Sequence, residues 1–512
     1  MQIIDNRALL LKVREPEKIT SVIPKSALLD SGEVLVKWGI EEAQVLKNLR
    51  YKNIPSPIMG QYDWPGLYKP FDHQKVTAAF LTLHRKAFCF SEMGTGKTGS
   101  VIWAADYLMN IGVIKRVLVV CPLSIMQPAW QNDIFKFAIH RTCAIAHSST
   151  QEKRIKAVNS NADFVICNFD GLEIIMDEVI GKFDLIVVDE ASAYKNPQTK
   201  RWKTLNKIVT PSSWLWMLTG TPAAQSPVDA YGLAKLINPT GVPKFIGAFK
   251  EMVMYKVSQF RYIPRPRSED IIHNALQPAI RFTKEECLDL PEVTTVFRET
   301  PLSAQQKKYY ELLRKQMTME ADGQAITAVN AAVMLNKLLQ VAAGAVYSDS
   351  GETVAFDCAD RMKALKEVIE EASNKVLVFA PFKHVIQQIS EELTDSGITN
   401  EVINGEVTAT KRAAIFAKFQ DTSEPKVLVI QPQAAAHGVT LHAANVVVWW
   451  APITSIETYL QANARVHRAG QRNPVTVVHL QGSSVETKIY KMLNEKIDVH
   501  SRVIELYNSI TE

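Results

Sequence analysis

Short, uninterrupted apolar runs rich in Val, Ile and Phe recur along the chain, and helical patterns separate many of them. Ala87–Phe90, Arg116–Cys121, Asp163–Cys167, Phe183–Val188 and Trp214–Leu218 form one set; Lys375–Ala380, Lys426–Ile430, Val446–Trp450 and Val475–Leu480 form a second. A strand that is apolar along its whole length has both faces covered, as in the interior of a parallel sheet. After Lys97, the apolar positions Val101, Ile102, Ala105, Leu108 and Met109 keep to one helical face. Strand alternating with helix predicts parallel sheets with crossover helices, and two strand sets predict two α/β lobes. A length of 512 residues leaves room for about three units at roughly 150 residues each.

The stretches outside the two sets read differently. Pro55, Pro57, Gly60, Pro65 and Gly66 mark a linker that closes a small N-terminal region, residues 1–65. The first lobe is expected over 66–240. Residues 241–360 are mostly helical in pattern, with loops at Ile263–Pro266 and Ser348–Gly351, and are expected as a helical insertion. The second lobe, with a C-terminal helix, is expected over 361–512. A 47% hydrophobic, 22% charged chain is neither disordered nor a small disulfide scaffold. Cys89, Cys121, Cys143, Cys167, Cys287 and Cys358 have no zinc or redox spacing, which fits a reducing intracellular compartment. The N-terminus lacks a secretory pattern. The most apolar stretch, Ala325–Tyr347, is interrupted by Asn330, Asn336, Lys337 and Gln340, so it reads as a packed helix and no membrane role is expected.

Ser91-Glu92-Met93-Gly94-Thr95-Gly96-Lys97-Thr98 follows the Ala87–Phe90 strand and precedes a helix. Glycines let backbone N–H groups wrap phosphate oxygens, and the helix N-terminus adds partial positive charge. Lys97 is expected on the outer phosphates and Thr98 on Mg2+. Ser91 stands where the pattern usually begins with glycine. The strand Phe183–Val188 ends in Asp189 and Glu190. Beside a phosphate loop, Asp189 suits Mg2+ and Glu190 suits the proton of an attacking water; alone, the pair is an ordinary solvated strand end. Leu218-Thr219-Gly220-Thr221-Pro222-Ala223 alone is a turn, and gains meaning only from its place after those two motifs. Arg465 and Arg468, three apart, are expected on one helix face. Such a pair is either a solvated basic face or two guanidinium groups aimed at a γ-phosphate.

In this order the motifs resemble the superfamily-two helicases, and within them the Swi/Snf family of DNA-dependent ATPases. The resemblance covers about Pro70 to Tyr490. Pro70-Phe71-Asp72-His73-Gln74 looks like the opening motif, whose glutamine, Gln74 here, reads adenine. Val120–Ile125 with Trp130 looks like motif Ia, and Leu218–Ala223 with Asn238-Pro239 like motif III. Lys375–Ala380 looks like motif IV and His437-Gly438-Val439-Thr440-Leu441 like motif V. Arg465-Val466-His467-Arg468-Ala469-Gly470-Gln471 is very close to motif VI. The resemblance implies two RecA-like lobes with ATP and Mg2+ between them. Met93, Gly94, Thr95, Gly96, Lys97, Thr98 and Gly438 would bind nucleotide; Gln461, Arg465 and Arg468 would assist catalysis. It implies a motor on double-stranded DNA, usually without strand separation, with the insertion helping to grip DNA. Ser192 departs from the family's usual His, Ala464 from an acidic or glycine residue, and His437-Gly438 from a double glycine.

A formal charge of +5 is too weak to establish a polyanion partner by itself. Two basic clusters are candidates: Lys195, Lys200, Arg201, Lys203 and Lys207, and then Arg261, Arg265 and Arg267. Each is equally readable as a solvated surface. The leading expectation is an ATP-driven motor on double-stranded or branched DNA that remodels DNA or protein–DNA complexes. The alternatives are a strand-separating DNA or RNA helicase and a nonenzymatic, ATP-switched scaffold. A nuclease or repair factor is an expected kind of protein partner, and nothing calls for an obligate oligomer.

Overall fold

A computed structural model describes the chain apart from residues 221, 223–225, 258–261, 288–289, 322–327, 348–352, 436–438, 469, 496–505 and 507–512. The chain divides into two compact units. One contains Met1–Ala223 and Pro227–Cys287, and the other Leu288–Glu512 with Ala224–Ser226.

In the first unit, the N-terminal region forms an antiparallel sheet in the order β1-β2-β4-β3, from β1 (Gln2–Ile4), β2 (Ala8–Leu11), β3 (Ser26–Leu28) and β4 (Val34–Lys37). Alternation along β2 and β4 turns Leu9, Leu11, Val34 and Val36 into a small core with Ile19, Ile23, Trp38 and Leu46. The linker that follows is tied back: Gln61 Nε2 donates to Asn6 O and Trp38 O, and the buried Asp106 accepts from Tyr62 Oη (2.5 Å).

The main sheet has seven parallel strands: β5 (Lys86–Cys89), β6 (Val117–Cys121), β7 (Cys143–Ile145), β8 (Phe164–Asn168), β9 (Leu185–Asp189), β10 (Trp214–Leu218) and β13 (Ala279–Ile280). Between the last two lies a hairpin of β11 (Met254–Lys256) and β12 (Tyr262–Pro264). The sheet order is β13-β5-β10-β9-β6-β8-β7. β6 and β10 are buried along their whole length because helices cover both faces, as their unbroken apolar sequences require. Leu218 of β10 pairs with Cys89 of β5 on one side and Asp189 of β9 on the other. The loops after these three strands therefore leave the same end of the sheet.

The second unit holds a six-stranded parallel sheet ordered β14-β21-β20-β17-β19-β18. Its strands are β14 (Val293–Glu299), β17 (Lys375–Phe379), β18 (Asn400–Ile403), β19 (Val427–Ile430), β20 (Ala444–Trp449) and β21 (Val475–Gln481); β15 (Ala345–Tyr347) and β16 (Thr353–Ala355) make a separate hairpin. The α/β class with two parallel-sheet lobes is as expected from the sequence. Residues 241–360 carry strands as well as helices. Those up to Cys287 belong to the first unit, and β14 opens the second, pairing in parallel with β21. The packed helix expected near Ala325–Tyr347 runs Ala328–Ala343, with Leu335, Leu338 and Leu339 buried. Among the described residues, no helix is long and apolar enough to cross a membrane.

A buried ion pair fixes the second unit. Arg361 and Glu486, 3% and 0% exposed, meet through two hydrogen bonds of 2.9 and 3.0 Å. Arg361 also donates to Thr300 Oγ1 and Trp450 O, and Glu486 accepts from the Gly482 and Ser483 amides. Removing one partner strands the other charge in the core. Glu486→Ala is therefore expected to destabilise this unit by about 3–5 kcal/mol, read as faster hydrogen exchange along β20 and β21.

Candidate functional site

The loop Ser91–Thr98 leaves β5 and runs into the helix Lys97–Asn110. Gly94 and Gly96 take φ of 87° and 78°, the left-handed region that glycine enters without steric cost. Gln74 packs directly on this loop: its Nε2 donates to Gly96 O (3.2 Å) and its Oε1 accepts from Phe71 N (2.9 Å). Next to it, His73 Nε2 lies 2.8 Å from Thr95 O, and Thr95 Oγ1 donates to Glu92 O. The helix Asp72–Thr82 thus braces the loop through two consecutive side chains. Lys97 Nζ donates to Ser91 O (2.7 Å) and Glu92 O (3.2 Å). Its ammonium is held over the loop by two neutral carbonyls, weaker partners for a cation than an anionic oxygen would be.

The acidic pair sits at the same end of the sheet. Asp189 Oδ2 accepts from Trp130 Nε1 (2.9 Å) and Oδ1 from Glu190 N (3.0 Å). Burial pushes the Asp189 carboxyl above its usual range; the Lys97 ammonium, the indole and the Glu190 amide pull the other way and do not fully offset it. A carboxylate whose charge is disfavoured in this way gains from a cation. Thr98 hydroxyl and Asp189 carboxylate are hard oxygen donors, and Mg2+ takes few protein ligands, keeping water and phosphate for the rest. The residues present fit it. Among the described residues, no group of three or more His, Cys, Asp and Glu forms an all-protein cage. Glu190 itself has a φ of 53°; a non-glycine residue in this region stores strain, which clusters at functional sites. The third loop joins them: Thr219 N donates to Cys89 O (3.1 Å), and a Cβ on Gly220 would lie 3.6 Å from the Met93 side chain.

In the second unit, the helix expected to carry both arginines ends earlier, at Asn463. Arg465 and Arg468 lie in the turn beyond it, so they share no helix face. The turn is pinned from outside: Leu441 N donates to Arg465 O (2.9 Å), and Gln471 Nε2 donates to Ala444 O (2.8 Å) and Val466 O (3.3 Å). The two guanidinium groups still converge, because Arg465 Nη1 and Arg468 Nη1 both donate to Val439 O, at 3.5 and 3.3 Å. Gln461 is 4% exposed and donates to Glu457 Oε1 (3.2 Å). Gly438 and His437, like Thr221 and Ala223, lie outside the described residues.

Two family models match this chain. The SNF2-related domain matches residues 36–343, and the helicase conserved C-terminal domain matches 360–470. The chain belongs to the SNF2-related family. The first match takes in the whole seven-stranded sheet, and the second takes in β17 to β20 of the six-stranded sheet. An uncharacterized ATP-dependent helicase of Mycoplasma genitalium is 26% identical over 428 residues, 81% of this chain and 40% of that protein. A chromodomain-helicase-DNA-binding protein 1-like of Danio rerio is 25% identical over 470 residues, 85% and 44% respectively. The chain spans less than half the length of these relatives. Among solved structures, a Sulfolobus solfataricus SWI2/SNF2 ATPase core in complex with dsDNA is 24% identical, with 88% of this chain and 95% of that chain covered and a TM-score of 0.41.

For this SNF2-related chain, the basic clusters are less free than their sequences suggest. Lys195 pairs with Asp229 (3.2 Å), Lys200 with Glu173 (3.6 Å) and Arg201 with Asp170 (2.7 Å), leaving Lys203 and Lys207 exposed. The acids come from neighbouring elements, invisible in the local sequence. Arg265 Nε donates to Met254 O, and Arg261 lies outside the described residues. Sequence reasoning gives Trp130 a place in motif Ia but not its bond to Asp189, 59 positions away. The fit of Gln74 against Gly96 is equally close: a Cβ on Gly96 would lie 2.1 Å from Gln74 Nε2. Gly96→Ala is expected to strain the loop by about 1–2 kcal/mol and to displace Gln74, read as faster hydrogen exchange at Phe71 N.

Proposed function

We propose that the chain is an ATP-hydrolysing motor that moves along double-stranded DNA and remodels DNA or protein–DNA complexes. The observation that carries this reading is the meeting, at one end of one parallel sheet, of the Ser91–Thr98 loop, the Asp189–Glu190 pair and the Thr219–Gly220 loop. Membership of the SNF2-related family supports it.

In this reading the loop amides and Lys97 bind the β- and γ-phosphates, and Gln74 reads adenine beside Gly96. Thr98 and Asp189 hold Mg2+, which when bound neutralises phosphate charge. Trp130 and the Glu190 amide orient the Asp189 carboxylate by occupying one oxygen each. Glu190 accepts a proton from water as that water attacks the γ-phosphorus; the bond to the β–γ bridging oxygen breaks, and ADP leaves with the electron pair. Arg465 and Arg468, gathered on Val439 O, stabilise the charge that develops on the transferred phosphoryl group. Gln461, on the preceding helix, assists catalysis beside them. DNA is held through its phosphates, with Lys203 and Lys207 as exposed candidates.

Lys97→Ala and Glu190→Gln are each expected to reduce ATP turnover by at least about 100-fold while retaining most DNA binding. The deciding comparison is ATPase stimulation by duplex DNA, single-stranded DNA, branched DNA and RNA, side by side. Duplex or branched DNA should stimulate most. Stimulation by single strands or RNA alone would instead point to a strand-separating helicase, and negligible turnover with all of them to a nonenzymatic scaffold.

A further inference from the structure

The phosphate loop has a second brace, opposite Gln74 and His73. Phe88 N donates to Pro278 O (2.9 Å), Phe90 N to Ile280 O (2.8 Å) and Glu92 N to Phe282 O (2.9 Å). This ladder starts as the β5–β13 pairing and continues past it into the loop itself. Side chains then return the bonds. Ser91 Oγ accepts from Phe282 N (3.2 Å), and Glu92 Oε2 accepts from Lys284 N (3.3 Å). The Phe282 ring lies 5.9 Å from that of His73, which itself meets Thr95 O.

Ser91 is buried, and it occupies the position where the phosphate-loop pattern usually has glycine. Glycine has no hydroxyl to accept from Phe282 N. Ser91 and Glu92 are also the two residues whose carbonyls hold Lys97 Nζ. The same dipeptide thus grips Lys97 with its backbone and the Pro278–Lys284 segment with its side chains.

We propose that Ser91 is a positioning residue that couples nucleotide occupancy to the Pro278–Lys284 segment. When a nucleoside di- or triphosphate draws Lys97 off the Ser91 and Glu92 carbonyls, the loop shifts its hold on Phe282 and Lys284. This rests on the reading of Ser91–Thr98 as a nucleotide loop.

The test is hydrogen exchange of the full chain with and without saturating ADP and Mg2+, comparing wild type, Ser91→Ala, Ser91→Gly and Ser91→Thr. In the wild type, ADP is expected to change exchange at the Phe282 and Lys284 amides. In Ser91→Ala and Ser91→Gly, Phe282 is expected to exchange about tenfold faster and to ignore ADP, whereas Ser91→Thr restores both properties. With duplex DNA at saturating ATP, kcat of Ser91→Ala is expected to fall about tenfold, with a smaller change in KM. An ADP response that survives in both Ser91→Ala and Ser91→Gly, or a loss confined to KM, overturns the proposal. So does a wild type that binds ADP without any response at Phe282. A wild type that shows the response, and loses it in the variants, but turns over negligible ATP with every one of the four nucleic acids upholds the coupling and refutes the motor reading instead.

Discussion

The parallel register across β5, β10 and β9 is the constraint from which the rest of the site follows. Leu218 pairs with both Cys89 and Asp189. The chain must therefore leave all three strands at one level, and the loops that follow are forced together. Strand ends of a parallel sheet are natural places for this, since helices occupy its faces and leave the carboxyl edge open. Three loops spread between Ser91 and Gly220 in the sequence become neighbours without a long-range contact having to be built for each. The apolar strands fix the register, because a slip of one residue in a strand would exchange the residues facing its two helix layers.

Within that frame, the phosphate loop is held from two sides. One side is Gln74 and His73 on the helix Asp72–Thr82; the other is the backbone of Pro278–Phe282. A glycine-containing loop is flexible by composition, and its conformational entropy has to be removed before it presents amides to a phosphate. The braces do this in advance. They are made of hydrogen bonds to backbone rather than to the side chains expected to act, so Lys97 and Thr98 keep their chemistry while the loop keeps its shape.

Much of this was legible in the sequence, for a physical reason. Strands buried on both faces must be apolar throughout, and the expected runs at Trp214–Leu218 and Lys375–Ala380 match β10 and β17 within one residue. Edges were not legible. β14 exposes six of its seven residues, so neither an apolar run nor a clean alternation marks it, and β13 has only two residues. The site divides in the same way. Glycine spacing marks Gly94 and Gly96 because a left-handed backbone demands that residue. Trp130, by contrast, is a tryptophan like any other until folding brings its indole to Asp189. Charge is the least legible property: Lys195, Lys200 and Arg201 look like a basic surface along the chain and are paired across it.

The arginine pair shows why spacing alone misleads. Three residues apart, Arg465 and Arg468 would point the same way on a helix, and a rigid helix face would fix where both groups lie. The observed turn brings them together by another route, through a shared acceptor, Val439 O, and a backbone bond from Leu441 to Arg465. The turn therefore holds both arginines near one point without a shared helix face.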